Sequence, residues 1–239
     1  MVFKIVIAST NDGKIKEIGD ILNSLKWENL HSQQQENCLA QAEGRPEGGA
    51  ARMGEVPPDL TIQIRSLQDY LITEPDEPHD NFLKNAIHKA KYYAQYTKEA
   101  TLSEDSGLSI EALKGFPGVR TKEFTQECGG MKNTFIKLEQ MLLLQGFQNP
   151  TAYFHSAAAL YLPTQDLLIT HEARDDGVIS FPPRGEDGFA FDPIFIPKGY
   201  DRTFAELGPS IKNKISHRSK AIHGLMKKWG QIAICNQVP

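Results

Sequence analysis

The segment Val2-Phe3-Lys4-Ile5-Val6-Ile7-Ala8 is short, β-branched and bounded by polar residues, which is the pattern of a buried strand. It runs through Ser9-Thr10-Asn11-Asp12-Gly13-Lys14 into a stretch where Ile15, Ile18, Leu22 and Leu25 recur at helical spacing. That spacing predicts a helix from about Asp12 to Leu25. A strand that feeds a helix through a short loop is the building unit of an α/β fold, so the chain is restricted to a sheet covered by helices. The loop also carries chemistry. A helix N-terminus presents unpaired N–H groups and a partial positive charge, and so attracts phosphate. Ser9 and Asn11 add side-chain donors, and Lys14 adds a full positive charge one turn in. The GxxxxGK[ST] spacing of a P-loop is missing. Taken alone, the segment is more often an N-cap followed by an exposed helical lysine.

Between about 28 and 58 the pattern breaks. Gln33-Gln34-Gln35, Gly48-Gly49 and Pro57-Pro58 are poor core material, so this stretch reads as a flexible, inert insertion in a single domain spanning 1–239. Order resumes with a strand at Leu60–Ile64. Phe82, Ala86, Ile87, Ala90 and Ala94 predict a helix over Asn81–Tyr96, capped by Asp80 or Asn81. Ala100–Ser103 reads as a strand entering an acidic turn. Met131, Phe135, Leu138, Met141 and Leu142 mark another amphipathic helix. Ala152–Leu162 and Leu167–Ala173 read as an antiparallel hairpin, and Ala221 to Trp229 as a last helix. The fold class is α/β with a mixed sheet. The hairpin suggests a second lobe, and a cleft between lobes is a common ligand site.

The net charge of −4 argues against a general nucleic-acid binder, which would show a basic surplus. A small phosphorylated ligand needs only a local cluster of cations. Three widely spaced cysteines without a CxxC pair argue against zinc ribbons and redox motifs, and fit a reducing compartment. The apolar start, Met1–Ala8, is too short for a signal peptide or a membrane span. The expectation is a cytoplasmic protein with no membrane or nucleic-acid partner.

Four groups of residues are candidates for chemistry. Glu104-Asp105-Ser106-Gly107 sets two carboxylates at a strand's end, and a hard cation such as Mg²⁺ is a natural partner for them. A solvated acidic turn explains them equally well in isolation. Asp76, Glu77 and Asp80 lie upstream and offer a further ligand. Lys89 falls one turn after Asn85, on the same helical face. Phe189 and Phe191 would point the same way in an extended segment, and Pro193 favours an extended Asp192. With His217 and Arg218 near a helix start, they form a set suited to a flat polar ring. Two core aromatics and a surface His-Arg pair are the alternative.

In this order, the segments Ser9–Lys14, Asn85–Ala90, Glu104–Leu108, Phe116–Val119, Gly188–Phe195, Phe204–Leu207 and Lys212–Arg218 resemble the inosine triphosphate pyrophosphatase family. The match covers 2–25 and about 78–230. The resemblance implies an elongated two-lobed α/β fold with a central mixed sheet flanked by helices, a homodimer, and Mg²⁺-dependent hydrolysis of ITP, dITP and XTP to monophosphate and pyrophosphate. Carried onto this chain, it makes Ser9, Thr10, Asn11, Asp12, Gly13 and Lys14 the phosphate segment, with Lys89 assisting. Asp105 becomes metal ligand and general base, Glu77 a second metal ligand, and Glu104 a further one or a support. Ser106 would contact substrate. Phe189 would stack on the base, in one loop with Ala190 and Phe191, while Asp192, Lys212, His217 and Arg218 would read the base edge. Three departures stand out. Glu104 replaces an aspartate, Ala190 replaces a glycine, and Val119-Arg120-Thr121-Lys122 differs from the usual aromatic-Ser-Ala-Arg. A diphosphatase with shifted base preference and a nucleotide-binding sensor without turnover are the competing readings.

Overall fold

The computed structural model describes residues 2–25, 61–67, 70, 72–77 and 80–236. The stretch at 28–58, read as an insertion, lies outside the described residues. β1 (Val2–Ile7) and α1 (Asp12–Ser24) form where the N-terminal pattern predicts them. Asn11 ends the loop between them. Its backbone is extended, and its side-chain oxygen accepts a hydrogen bond from the Lys14 amide at 3.0 Å, which caps the helix. β2 (Thr61–Ser66) pairs parallel with β1. α2 (Phe82–Thr97) is capped in the same way by Asn81 and buries Phe82, Ala86, Ala90 and Ala94.

β3 (Ala100–Ile110) is the spine of the sheet. It pairs parallel with β1 and antiparallel with β4 (Thr151–Leu162), which in turn pairs with β5 (Leu167–Ile179) and through it with β6 (Phe195–Pro197). The order β2-β1-β3-β4-β5-β6 makes the mixed sheet that was expected. β5 runs past the predicted Ala173 because its polar tail, Arg174 to Gly177, still pairs with β4, and Gly177–Ile179 takes β6 on the other side.

The acidic turn is corrected: Glu104, Asp105, Ser106 and Gly107 lie inside β3, not after it. Side chains alternate along a strand. Glu104 therefore faces one side of the sheet and Asp105 the other, opposite Ala158 and Ala157 of β4. Buried alanines on the neighbouring strand leave room for both carboxylates, and each face supplies its own basic partners.

Two of the hydrophobic cores set the ends of the site. One packs β1, α1 and α7 (His217–Asn236) around Ile5, Ile18, Leu102, Leu160, Ile222 and Trp229. The other gathers Leu108, Phe124, Leu138, Phe154, Phe191 and Phe195 with α3 (Thr121–Glu127) and α4 (Met131–Leu144). β4 contributes to both of these cores. α5 (Phe204–Leu207) and α6 (Pro209–Ile215) lead into α7.

The sheet itself makes a gap. β1 pairs with β3 only as far as Ile7↔Leu102, and the chain then leaves through Ser9 to Lys14. Beyond that point β3 carries Glu104–Gly107 without a strand on that side, among the described residues. Gly107 lets the 118–121 loop press against β3: a Cβ there would collide with the Gly118 carbonyl oxygen. One wall of the gap is then the start of α1, and the facing wall is the start of α3.

Candidate active site

The gap is a cleft with a cavity volume of about 560 Å³, within the ordinary range for small-molecule sites. Ser9, Thr10, Asn11 and Lys14 line it from the α1 side, Lys89 and Asp105 from α2 and β3, and Phe189, Asp192, Lys212, His217 and Arg218 from the loops and helices after β5. Glu77, Glu104, Ser106, Ala190 and Phe191 also line it. Two predicted residues do not. Asp12 is exposed at the first position of α1, and Gly13 acts as a seat instead. A Cβ on Gly13 would stand 2.8 Å from Cδ1 of Phe189, so that ring rests on the glycine.

The charged groups form a web with two centres. At the first, Lys89 Nζ lies 2.6 Å from Glu77 Oε1 and 3.1 Å from Asp105 Oδ1, while Asn85 Nδ2 donates to Asp105 Oδ2 at 3.2 Å. The common helical face read for Asn85 and Lys89 is therefore aimed at one carboxylate. Burial opposes the charge on Lys89, yet Asp105 and Glu77 hold its pKa above the usual lysine value. Burial also opposes ionisation of Glu77, but Lys89 overrides it and keeps that carboxyl below its usual range.

The second centre is Glu17, a residue that sequence reasoning missed. Lys212 Nζ sits 3.0 Å and Arg218 Nη1 2.7 Å from its Oε2, and Ser216 Oγ donates to Oε1 at 3.3 Å. The available signal was a carboxylate next to Ile18 and four residues before Ile21, on the stripe that α1 buries. Lys212 reaches on to Asp192 at 2.7 Å. Arg218 reaches Ser106 Oγ at 3.0 Å and Glu104 at 3.4 Å, and Lys14 meets the same Glu104 oxygen at 3.0 Å. Ser156 donates to the other Glu104 oxygen at 2.7 Å. Against strong burial, Arg218 and Lys14 hold Glu104 well below the usual carboxylate range. Burial raises the pKa of Asp192, and Lys212 with the Phe189 amide only partly offsets that.

The ring-facing residues differ from their predicted geometry. The segment is not extended: Ala190 has φ +52°, and Asp192 opens a single 3₁₀ turn ending at Ile194. The Asp192 carboxylate accepts from the Phe189 amide at 2.8 Å and so fixes the bend. The two rings then diverge. Phe191 is almost wholly buried in the core, near Phe135, whereas Phe189 turns to the cleft with Lys212 Nζ 4.4 Å and the Arg218 guanidinium 5.4 Å from its centroid. His217 stacks on Phe154 at 4.4 Å, and its Nδ1 is buried without a hydrogen bond among the described residues.

Burial first, and then the Arg218 charge, push the His217 pKa well below the usual histidine value, so its ring is neutral in the fold. Below about pH 6.5 the unfolded chain binds that proton and the folded chain does not, so stability falls as pH drops through this window. Glu17, Glu77 and Glu104, all depressed, add a second loss nearer the ordinary carboxylate range. Thermal melts should show the melting temperature falling between pH 7.5 and 5.5, with a flatter slope in His217→Gln. His171, lowered by burial and Lys228, keeps part of the slope. An identical slope in the variant would remove His217 from this balance.

Fold and site together define an α/β protein whose cleft sets a helix N-terminus and basic groups beside an aromatic ring and a buried His-Arg pair. The chain belongs to the Ham1 family, whose model matches residues 5–228. The resemblance to inosine triphosphate pyrophosphatases read from its motifs is borne out. It is 36% identical over 176 residues to a dITP/XTP pyrophosphatase of Geobacillus kaustophilus, covering 72% of this chain and 84% of the relative. It is 30% identical over 230 residues to a dITP/XTP pyrophosphatase of Aquifex aeolicus, covering 93% and 95%. Among solved structures, a HAM1 protein from Coxiella burnetii superposes with a TM-score of 0.71 at 27% identity, over 96% of this chain and 99% of that one.

Proposed function

We propose that this protein hydrolyses the triphosphates of deaminated purines, ITP, dITP and XTP, to the nucleoside monophosphate and pyrophosphate. The observation that carries the reading is that Lys14, Asp105 and Arg218, which are far apart in sequence, line one cleft. Relatives across most of the chain's length are named for the same reaction. In this reading the triphosphate lies along the start of α1, and the base lies against Phe189. Lys212, Asp192, His217 and Arg218 face its edge. Hypoxanthine and xanthine carry an oxygen at position 6, where adenine carries an amino donor. Donors from Arg218 or His217 suit the oxygen and would be left unpaired against adenine, a mismatch that discriminates strongly.

Magnesium is read as the cofactor from the donor set. Glu77 Oε1 and Asp105 Oδ1 converge on the Lys89 ammonium, and both are hard oxygen donors at the cleft wall. No cluster of three or more His, Cys, Asp or Glu ligands occurs among the described residues. An ion held by these two carboxylates would complete its shell with waters and substrate phosphates. When bound, Mg²⁺ neutralises phosphate charge and polarises the phosphoryl oxygens. Asp105, oriented by Asn85, accepts a proton from the attacking water at a carboxylate oxygen. The water oxygen bonds to the α-phosphorus as the bond to the bridging oxygen breaks. Pyrophosphate leaves with its charge met by Lys14 and Lys89. Glu104 stays behind these groups and holds Lys14 and Arg218 in place.

Pyrophosphate and IMP should appear in equal amounts from ITP with Mg²⁺ present, and EDTA should stop their release. Tight ITP binding without release would mean a nucleotide sensor instead. A single-domain homodimer in a reducing, cytoplasmic compartment completes the reading, and light scattering on the purified chain tests the dimer. Among the described residues no helix is long and apolar enough to cross a membrane.

A further inference from the structure

Lys122 lies in the first turn of α3, on the wall facing the start of α1, and lines the cavity. Its Nζ is 3.2 Å from Glu74 Oε1, while Glu74 Oε2 accepts from Thr10 Oγ1 at 3.4 Å. A single carboxylate thus joins the far wall to the phosphate loop, and the ammonium stands one carboxylate's width from Thr10. The same segment sends Glu77 onto Lys89 at 2.6 Å. Two carboxylates of one short stretch therefore rest on three donors, Thr10, Lys89 and Lys122. Arg120, two residues earlier, behaves differently. It pairs with Glu123 and Glu127 of α3 and does not line the cleft.

We infer that Lys122 binds the terminal phosphate of the nucleoside triphosphate, and that Glu74 fills that phosphate's place until substrate enters. The inference rests on reading the cleft as a triphosphate site. The Lys122–Glu74 pair is largely exposed, 57% and 39%, so water screens it and it is easily exchanged. A terminal phosphate carries more charge than one carboxylate and three acceptor oxygens, so it is the better partner for an ammonium. It would take the Thr10 hydroxyl at the same time. Lys122 then favours a triphosphate over a diphosphate by gripping the group that only the triphosphate has.

The two ends of the pair predict opposite results. Lys122→Met should raise KM for ITP about tenfold, the loss of one charge-assisted contact, and leave the affinity for IDP within about twofold. Glu74→Gln frees Lys122 and Thr10 and should lower KM for ITP. A pair that only braces the fold would weaken ITP binding in both variants alike, or change it in neither; either result overturns the inference. Wild-type pyrophosphate release is measured alongside. If the wild type releases none, the reading of the cleft itself fails. If it does and Lys122→Met matches it for ITP, only the role of Lys122 fails.

Discussion

Asp105→Asn is expected to slow pyrophosphate release from ITP by about 10³-fold, the scale of removing a general base, while ITP still binds within a few fold of the wild type. The geometry separates the two effects. Asparagine keeps the shape of the side chain, so the amide can still meet Asn85, and Lys89 keeps its Glu77 partner at 2.6 Å. What it loses is an oxygen able to take a proton from water. Single-turnover pyrophosphate release reads the first effect and calorimetry the second. A rate close to that of the wild type would remove Asp105 from the chemistry.

Glu17→Leu is expected to cost about 3–5 kcal/mol of stability, the usual effect of taking one partner from a buried ion-pair network. The carboxylate is buried with Lys212 Nζ and Arg218 Nη1 on one oxygen and Ser216 on the other. Without it two buried cations face each other with only Asp192 and Glu104 to balance them. Burial opposes Glu17's own charge, but Arg218 and Lys212 prevail and hold its carboxyl below the usual range. Urea unfolding should show the midpoint shift, and Arg218 would lose its fixed position over Phe189. Glu123→Ala, which removes an exposed partner of Arg120, should cost less than about 1 kcal/mol and serves as the control. A Glu17→Leu midpoint matching that control would mean that the network does not hold the base end together.

Much of the fold was legible because periodicity is local. Ile15, Ile18 and Leu22 give α1, and Asn81 with Phe82, Ala86 and Ala90 gives α2, from contacts within a few residues. The acidic segment was not legible in this way. Ser-Glu-Asp-Ser-Gly has a turn's composition, and β3 passes through it only because β4, some fifty residues later, pairs with each residue in turn. The sequence gives no sign that consecutive carboxylates will find basic partners on opposite faces of the sheet. The aromatic pair misled for a local reason. A left-handed Ala190 breaks the alternation that would align Phe189 with Phe191. The cleft residues were found mostly through the resemblance. Glu17 and Glu74 escaped it because each matters only through partners brought near by the folded chain.

The most direct test compares kcat/KM for ITP, dITP, XTP, GTP and ATP under one set of conditions, following pyrophosphate. One pocket that holds a 6-oxopurine at one end and its triphosphate at the other predicts efficient turnover of ITP, dITP and XTP, with ATP lower by about 10³-fold or more. Equal turnover of ATP and ITP would contradict it.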